Sequence, residues 1–379
     1  MKSLLLGGVF GALVCIAPVY AMKLSPEGTK IEYMDAKKYN RSLLDLFMKA
    51  AAFELFTGPV HEEITQRIFG CEADIADQHS CSDLELEYAG VFPIIGVRWN
   101  DDPPFRLDKR VAERIGCDSR YTIRFATQPK CWVNMFKLAE KRAGRGRTFG
   151  PKNANLMFRS HFGDLQFMHA MAGADGEPAS ATRGRILMWA EFTWKVATGE
   201  IRLAQLLRDL RAPDMREHFA ESGWSVQDLL TLGLPTLRTH IREVAFGALL
   251  HAVQDSFAAG HVERAAPVAD ARCKDLPDLR APGRIREFHA YGKQHHGRHA
   301  DADSRDALVG HIQRYRNAHG DSAGKDEQVP HVISIGRTLV GMLFERQLKW
   351  AEVKPYMECV FDLEDPDRAS SPGPEFLPQ

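Results

Sequence analysis

One stretch constrains the fold more than any other part of the chain. Between Leu250 and Val262 it reads His251-Ala-Val-Gln-Asp255-Ser-Phe-Ala-Ala-Gly-His261. His251 and Asp255 are four residues apart, so on a helix both side chains leave from one face. Val244 and Ala248 lead into that face, which turns the pair toward the interior. A lone buried carboxylate is very costly and demands a cation or several hydrogen-bond donors. The helical neighbours of Asp255 are His251, Ala252, Ala258 and Ala259, none of them Lys or Arg. A divalent metal shared with His251 would satisfy both groups. Gly260 is placed to end the helix and return His261 to the same centre.

Around this motif, helical periodicity recurs and strand-like alternation is scarce. Ser42–Phe56 carries Leu43, Leu46, Phe47 and Ala50 on one side, and Thr57-Gly58-Pro59 breaks it. A second helix opens near His61, with Glu62 and Glu63 suited to its first turn. Arg185–Val196 is a buried helix rich in aromatics, Val226–Ala259 a long helical stretch interrupted around Gly233-Leu234-Pro235, and Val332–Trp350 repeats apolar residues at helical spacing. The pattern predicts an all-α fold, a single-domain helical bundle over residues 22–364. Long loops are expected at 142–155, 172–185, 267–284 and 317–330, and a disordered tail at 365–379.

Residues 1–21 read as a secretory signal peptide: Lys2, an apolar run, then Val19-Tyr20-Ala21 as a small-residue cleavage site. The run is short for crossing a bilayer, and no later segment resembles a transmembrane helix. The protein is therefore expected to be secreted, or retained in a periplasm. Six cysteines remain beyond the signal, an even number in an exported chain, so disulfides are expected rather than thiolate ligands. Spacing favours Cys71–Cys81 and Cys117–Cys131, leaving Cys273–Cys359, out of the fifteen pairings that six cysteines allow. A formal net charge of −1 points to neither nucleic acid nor an anionic membrane as partner.

Other histidines and acids sit in suggestive contexts. His61 shares a helix face with Ile64 and Ile68. Arg98-Trp-Asn-Asp101-Asp102-Pro-Pro places two acids before prolines, a setting ordinarily explained by turn chemistry. His161 and His169 flank an apolar stretch containing Asp164, and His289, His295, His296 and His299 precede Asp303. His299 and Asp303 repeat the four-residue spacing of the first motif. Imidazole and carboxylate ligands from several helices, with the cysteines spent on disulfides, fit Zn²⁺. More than four such ligands imply a cluster of two or three ions, the usual device for phosphate-ester hydrolysis.

At these residues the chain resembles the bacterial zinc-dependent phospholipases C, whose superfamily includes fungal single-strand nucleases. The family's His-x-x-x-Asp-x-x-x-x-x-His motif is matched by His251, Asp255 and His261, and its later His-x-x-x-Asp pair by His299 and Asp303. His61, in HEEITQRI, is similar to the family's early helical ligand. Asp101 or Asp102 corresponds to the loop aspartate that bridges two zinc ions or serves as base, and His169, or else His161, to the histidine that follows it. The resemblance implies a monomeric enzyme that meets phospholipid at a membrane or micelle surface and cuts phosphatidylcholine to diacylglycerol and phosphocholine by a zinc-activated water. A quaternary ammonium headgroup calls for aromatic faces, for which Trp99, Phe105, Phe162 and Tyr291 are the candidates near ligands. Family members begin, after processing, with a zinc-binding tryptophan, whereas the expected start here is Met22-Lys23. The rival readings are a zinc-dependent nuclease or 3′-nucleotidase, with Arg142–Arg147 available to line a groove, and a non-catalytic exported zinc-binding protein.

Overall fold

The computed structural model describes residues 28–37, 59–75, 81, 88–211, 213–231, 234–319 and 329–378. The expected signal segment and the expected helix Ser42–Phe56 lie outside the described residues. The fold is mainly helical. In chain order the helices are α1 (Lys30–Lys37), α2 (Val60–Ile68), α3 (Val91–Trp99), α4 (Lys109–Ile115), α5 (Pro129–Ala143), α6 (Leu156–Phe162), α7 (Ala179–Ala197), α8 (Pro213–Phe219), α9 (Val226–Thr231), α10 (Ile241–Asp255), α11 (His296–Ala302), α12 (Arg305–Ala318), α13 (Val332–Val340) and α14 (Trp350–Val360).

Helix α10 is the buried axis of the molecule. It packs against α3 and α7, and α2, α9 and α13 also reach it. Its approach to α3 is backbone to backbone. A Cβ on Gly96 would lie 2.4 Å from the Val244 carbonyl oxygen, and one on Gly247 would lie 2.3 Å from that of Pro93. Only glycine permits helices this close. The expected interruption is present: α9 stops at Thr231, a 3₁₀ turn runs Pro235–Leu237, and α10 begins at Ile241. The expected C-terminal end is not. α10 ends at Asp255, and the amide of Ser256 closes it on the Ala252 carbonyl at 3.2 Å. Gly260 serves instead as clearance, since a Cβ there would stand 2.8 Å from His299 Nδ1.

Two departures from an all-helical expectation follow α10. Strand β1 (Val262–Arg264) pairs antiparallel with β4 (Ile285–Phe288), and β2 (Arg272–Cys273) with β3 (Leu276–Arg280). The second ladder falls within the loop expected at 267–284, and the first brackets it. Strands of two to five residues are too short to show an alternating pattern. The segment expected to be a disordered tail is also ordered: Ser370 and Phe376 are buried, Arg368 pairs with Glu287 at 2.6 Å, and the Ala290 amide bonds the Ser371 carbonyl at 2.9 Å. Its polar, proline-rich composition hides these few anchoring contacts. Disulfides join Cys71 to Cys81, Cys117 to Cys131 and Cys273 to Cys359, the last tying β2 to α14. Among the described residues, no helix is long and apolar enough to cross a membrane.

Candidate metal centre

Four buried elements converge where α10 ends. α2 brings His61, and the turn after α3 brings Asp101. A 3₁₀ turn, Gln166–His169, brings His169, and α10 brings His251 and Asp255. His169 is followed by Ala170, a non-glycine residue held at φ +52° with no exposure, a conformation that costs an L-residue roughly 1–2 kcal/mol. A neighbouring cluster is built by His261, after α10, with His299 and Asp303 at the two ends of one turn of α11. The eight side chains form three groups, His61–His251–Asp255, Asp101–His169–His251 and His261–His299–Asp303, whose ligand atoms lie within 4.8 Å of one another in each group.

The hydrogen bonds around the histidines determine which nitrogen is free. His251 Nδ1 donates to the Val97 carbonyl at 2.6 Å, His261 Nδ1 to that of His169 at 2.7 Å, and His169 Nε2 to that of Asn100 at 3.1 Å. His61 Nδ1 donates to Gln254 Oε1 at 2.5 Å, and His299 Nδ1 to Gln294 Oε1 at 2.7 Å. Both glutamines are oriented by their own amide groups, which donate to Thr65 Oγ1 and to the carbonyls of Gly260 and Pro372. A carbonyl oxygen can only accept, so each of these five rings carries its proton on the outward nitrogen and presents a bare lone pair inward. Those lone pairs face carboxylates: His251 Nε2 is 2.9 Å and His169 Nδ1 3.0 Å from Asp255 Oδ2, His61 Nε2 is 3.3 Å from Asp255 Oδ1, and His299 Nε2 is 3.0 Å and His261 Nε2 3.3 Å from Asp303 Oδ2. His251 Nε2 and His169 Nδ1 are themselves 3.0 Å apart.

Acceptors facing acceptors need something positive between them. His61 Nε2, Asp101 Oδ2, Asp255 Oδ1 and Asp303 Oδ1 are buried without a hydrogen-bond partner. Protons alone would resolve this only by splitting the cluster. Burial disfavours every imidazolium, yet Asp255 draws His61 up to about 9, and Asp255 with Asp303 draws His261 up to about 10. Burial, with His61 and His169 close by, drives His251 down to about 3. Divalent cations could meet the same need at all three groups, and the outward N–H bonds to carbonyl oxygens are of the kind that orient metal-ligating histidines.

The two adjacent acids part company. Asp101 Oδ1 lies 3.6 Å from His169 and Asp101 Oδ2 3.8 Å from His61, between two groups. Asp102 turns away, accepting the Phe125 amide at 2.8 Å and standing 3.3 Å from Arg124 Nε. Its expected place as an alternative bridging or basic residue is therefore corrected: it belongs to a buried ion network. Arg124 also reaches Glu32 of α1 at 2.8 Å, and Arg98 joins Glu32 at 3.2 Å to Glu62 at 2.6 Å. Two of the acids in this network, Glu62 and Asp102, are chain neighbours of His61 and Asp101.

The remaining candidate histidines, all among the described residues, stay outside the groups. His161 leans on His169, with ring centroids 5.1 Å apart, and its Nδ1 donates to the Met157 carbonyl at 3.0 Å. His289 faces the Gly260 carbonyl at 3.3 Å, His295 caps α11, and His296 pairs with Glu140 and the Tyr291 hydroxyl. Of the aromatic candidates, Trp99 stacks on Trp189 in the core and Phe105 is fully buried, while Tyr291 stands 4.9 Å from His299 and 5.6 Å from Phe162. Sequence reasoning passed over Asn100, Gln254 and Gln294. Only Gln254, placed between His251 and Asp255 in the motif, carried any positional signal. No protein-family model matches this chain, and neither any curated protein nor any solved structure is detectably similar to it.

Proposed function

We propose that this chain is an exported zinc-dependent phosphodiesterase, of the kind the phospholipases C represent, that cuts phosphatidylcholine into diacylglycerol and phosphocholine. On this reading the described helices form one bundle around two or three zinc ions. The observation that carries it is the convergence of five inward-facing imidazole nitrogens on three buried carboxylates. Nitrogen and oxygen donors without thiolate suit Zn²⁺, and three disulfides suit an oxidising compartment.

His61, Asp101, His169, His251, Asp255, His261, His299 and Asp303 would hold the ions. Bound zinc supplies Lewis acidity toward phosphate oxygens and lowers the pKa of water to about 7. Asp101, between two groups with Oδ2 unpartnered, accepts a proton from the attacking water. Asp255 bridges His61 on one oxygen and His169 with His251 on the other, so it fixes the separation of two groups.

The test is direct. The zinc-loaded chain should release phosphocholine from phosphatidylcholine vesicles, and His251→Ala and Asp255→Ala should lose both that activity and bound zinc. Full activity in both variants would refute the centre. Cleavage of single-stranded DNA with no lipid turnover would replace this reading by the nuclease one.

A further inference from the structure

A cavity of about 190 Å³ opens beside the metal centre, between α2, the end of α10 and α12. Val60, Ile64, Phe257, Leu308 and Val332 supply its apolar walls. Gln254 and Asp303 form the part of the lining shared with the centre: the first holds His61, the second faces His261 and His299. Besides Asp303, the charged residues of the lining are Asp306 and Arg314, both at exposed positions. His311 is buried there and kept neutral, by burial first and then by His331 and Arg314. The cavity exceeds the ~150 Å³ of an engineered apolar cavity that takes up benzene.

We infer that this cavity receives one acyl chain of the lipid substrate, an inference that rests on the phospholipase reading. The walls are mainly apolar, the buried polar members of the lining are Gln254, Asp303 and His311, and its exposed charges are those of Asp306 and Arg314. The lining also touches the residues that border the phosphate site. A chain esterified one glycerol away from a phosphate held at the metal groups therefore has an apolar wall to follow. A phosphate would not suit the cavity, whose lining holds no buried cation. Burying methylenes against Val60, Ile64 and Leu308 removes apolar surface from water and favours long-chain over chain-free substrates.

Ala307→Trp and Gly310→Leu would fill the cavity. Gly310 is a mild site, since the nearest atom to an added Cβ is an Arg314 side-chain nitrogen at 3.8 Å. Turnover of dioctanoyl phosphatidylcholine below its critical micelle concentration is compared with that of p-nitrophenyl phosphocholine, which has no acyl chain. Binding of the fluorescent fatty acid cis-parinarate is titrated in parallel on the zinc-loaded chain. Either filled variant that folds should lose about tenfold in kcat/KM for the dioctanoyl lipid, the equivalent of one to two buried methylenes, with the chain-free ester unchanged. An unchanged ratio of the two substrates in a folded variant would overturn the inference. If the wild-type chain hydrolyses neither ester, the phospholipase reading fails and the titration decides. Parinarate binding that both variants weaken supports a chain site, and no binding by the wild type, or equal binding by all three, removes it.

Discussion

Gly247 lies on Gly96 so closely that a Cβ added to Gly247 would stand 2.7 Å from the Gly96 Cα. This contact sets the distance from α10 to α3, and with it the 2.6 Å bond from His251 to the Val97 carbonyl. Gly247→Ala should therefore lower thermal stability by about 1–3 kcal/mol or more, the usual range for overpacking, and weaken metal binding as well. Gly184→Ala is the control: its added Cβ meets nothing within 4 Å on an exposed position of α7, and it should stabilise the helix by about 1 kcal/mol. Calorimetry with metal analysis checks both. Equal melting temperatures for the two variants would contradict the close contact.

Gln254 is the second case in which one bond positions a ligand. Its Oε1 takes the His61 N–H and its amide is held by Thr65. Gln254→Leu keeps the volume and removes both bonds, so His61 is free to rotate or change tautomer. Metal affinity at the His61 group should fall about 10–100-fold, as when other ligating histidines lose the acceptor of their outward N–H, while the His261 group keeps its ion. Competition with a chelator of known affinity resolves the two classes of site.

Much of this centre was legible because its ligands obey local geometry. Four-residue spacing within α10, and from His299 at the start of a turn to Asp303, places each pair on one face without knowledge of the rest of the chain. Asp101 and Asp102 could not be separated that way. They are adjacent, and what divides them is Arg124, twenty-two residues onward. His169, the first choice over His161, precedes a left-handed Ala170 whose φ no composition reveals. Glu32 gave no signal because its partners, Arg98 and Arg124, come from distant segments. The short ladders and the anchored C-terminal segment went unread because each rests on a few contacts rather than on a periodic pattern.

Asp255 and Asp303 should differ in how much metal they hold. Asp255 faces the inward nitrogens of His61, His169 and His251, which belong to two groups, and Asp303 those of His261 and His299, which belong to one. Asp255→Asn should therefore leave only the His261 group loaded, whereas Asp303→Asn should empty that group and spare the others. Metal content after dialysis, by emission spectrometry, gives the stoichiometries directly. Identical losses in the two variants would mean that the three groups act as a single site.

Glu32 permits a prediction with a defined pH sign. Burial alone would raise its carboxyl, but Arg98 and Arg124, with bonds from Thr29, hold it below the ordinary 4.5. Glu32→Ala leaves two buried guanidinium groups short of a counter-charge, and breaking such a pair costs about 3–5 kcal/mol. A depressed folded-state pKa means the unfolded chain takes up the proton first as acid is added. The stabilisation from Glu32 is thus complete above the ordinary value of 4.5 and is lost as pH falls through the lower folded value. Thermal melts of the metal-free wild type and variant should differ fully at neutral pH and converge in acid. Using metal-free chains keeps proton-driven loss of ions out of the comparison, and a gap that stays constant down to the lowest pH would show that the carboxylate charge of Glu32 does not compensate Arg98 and Arg124.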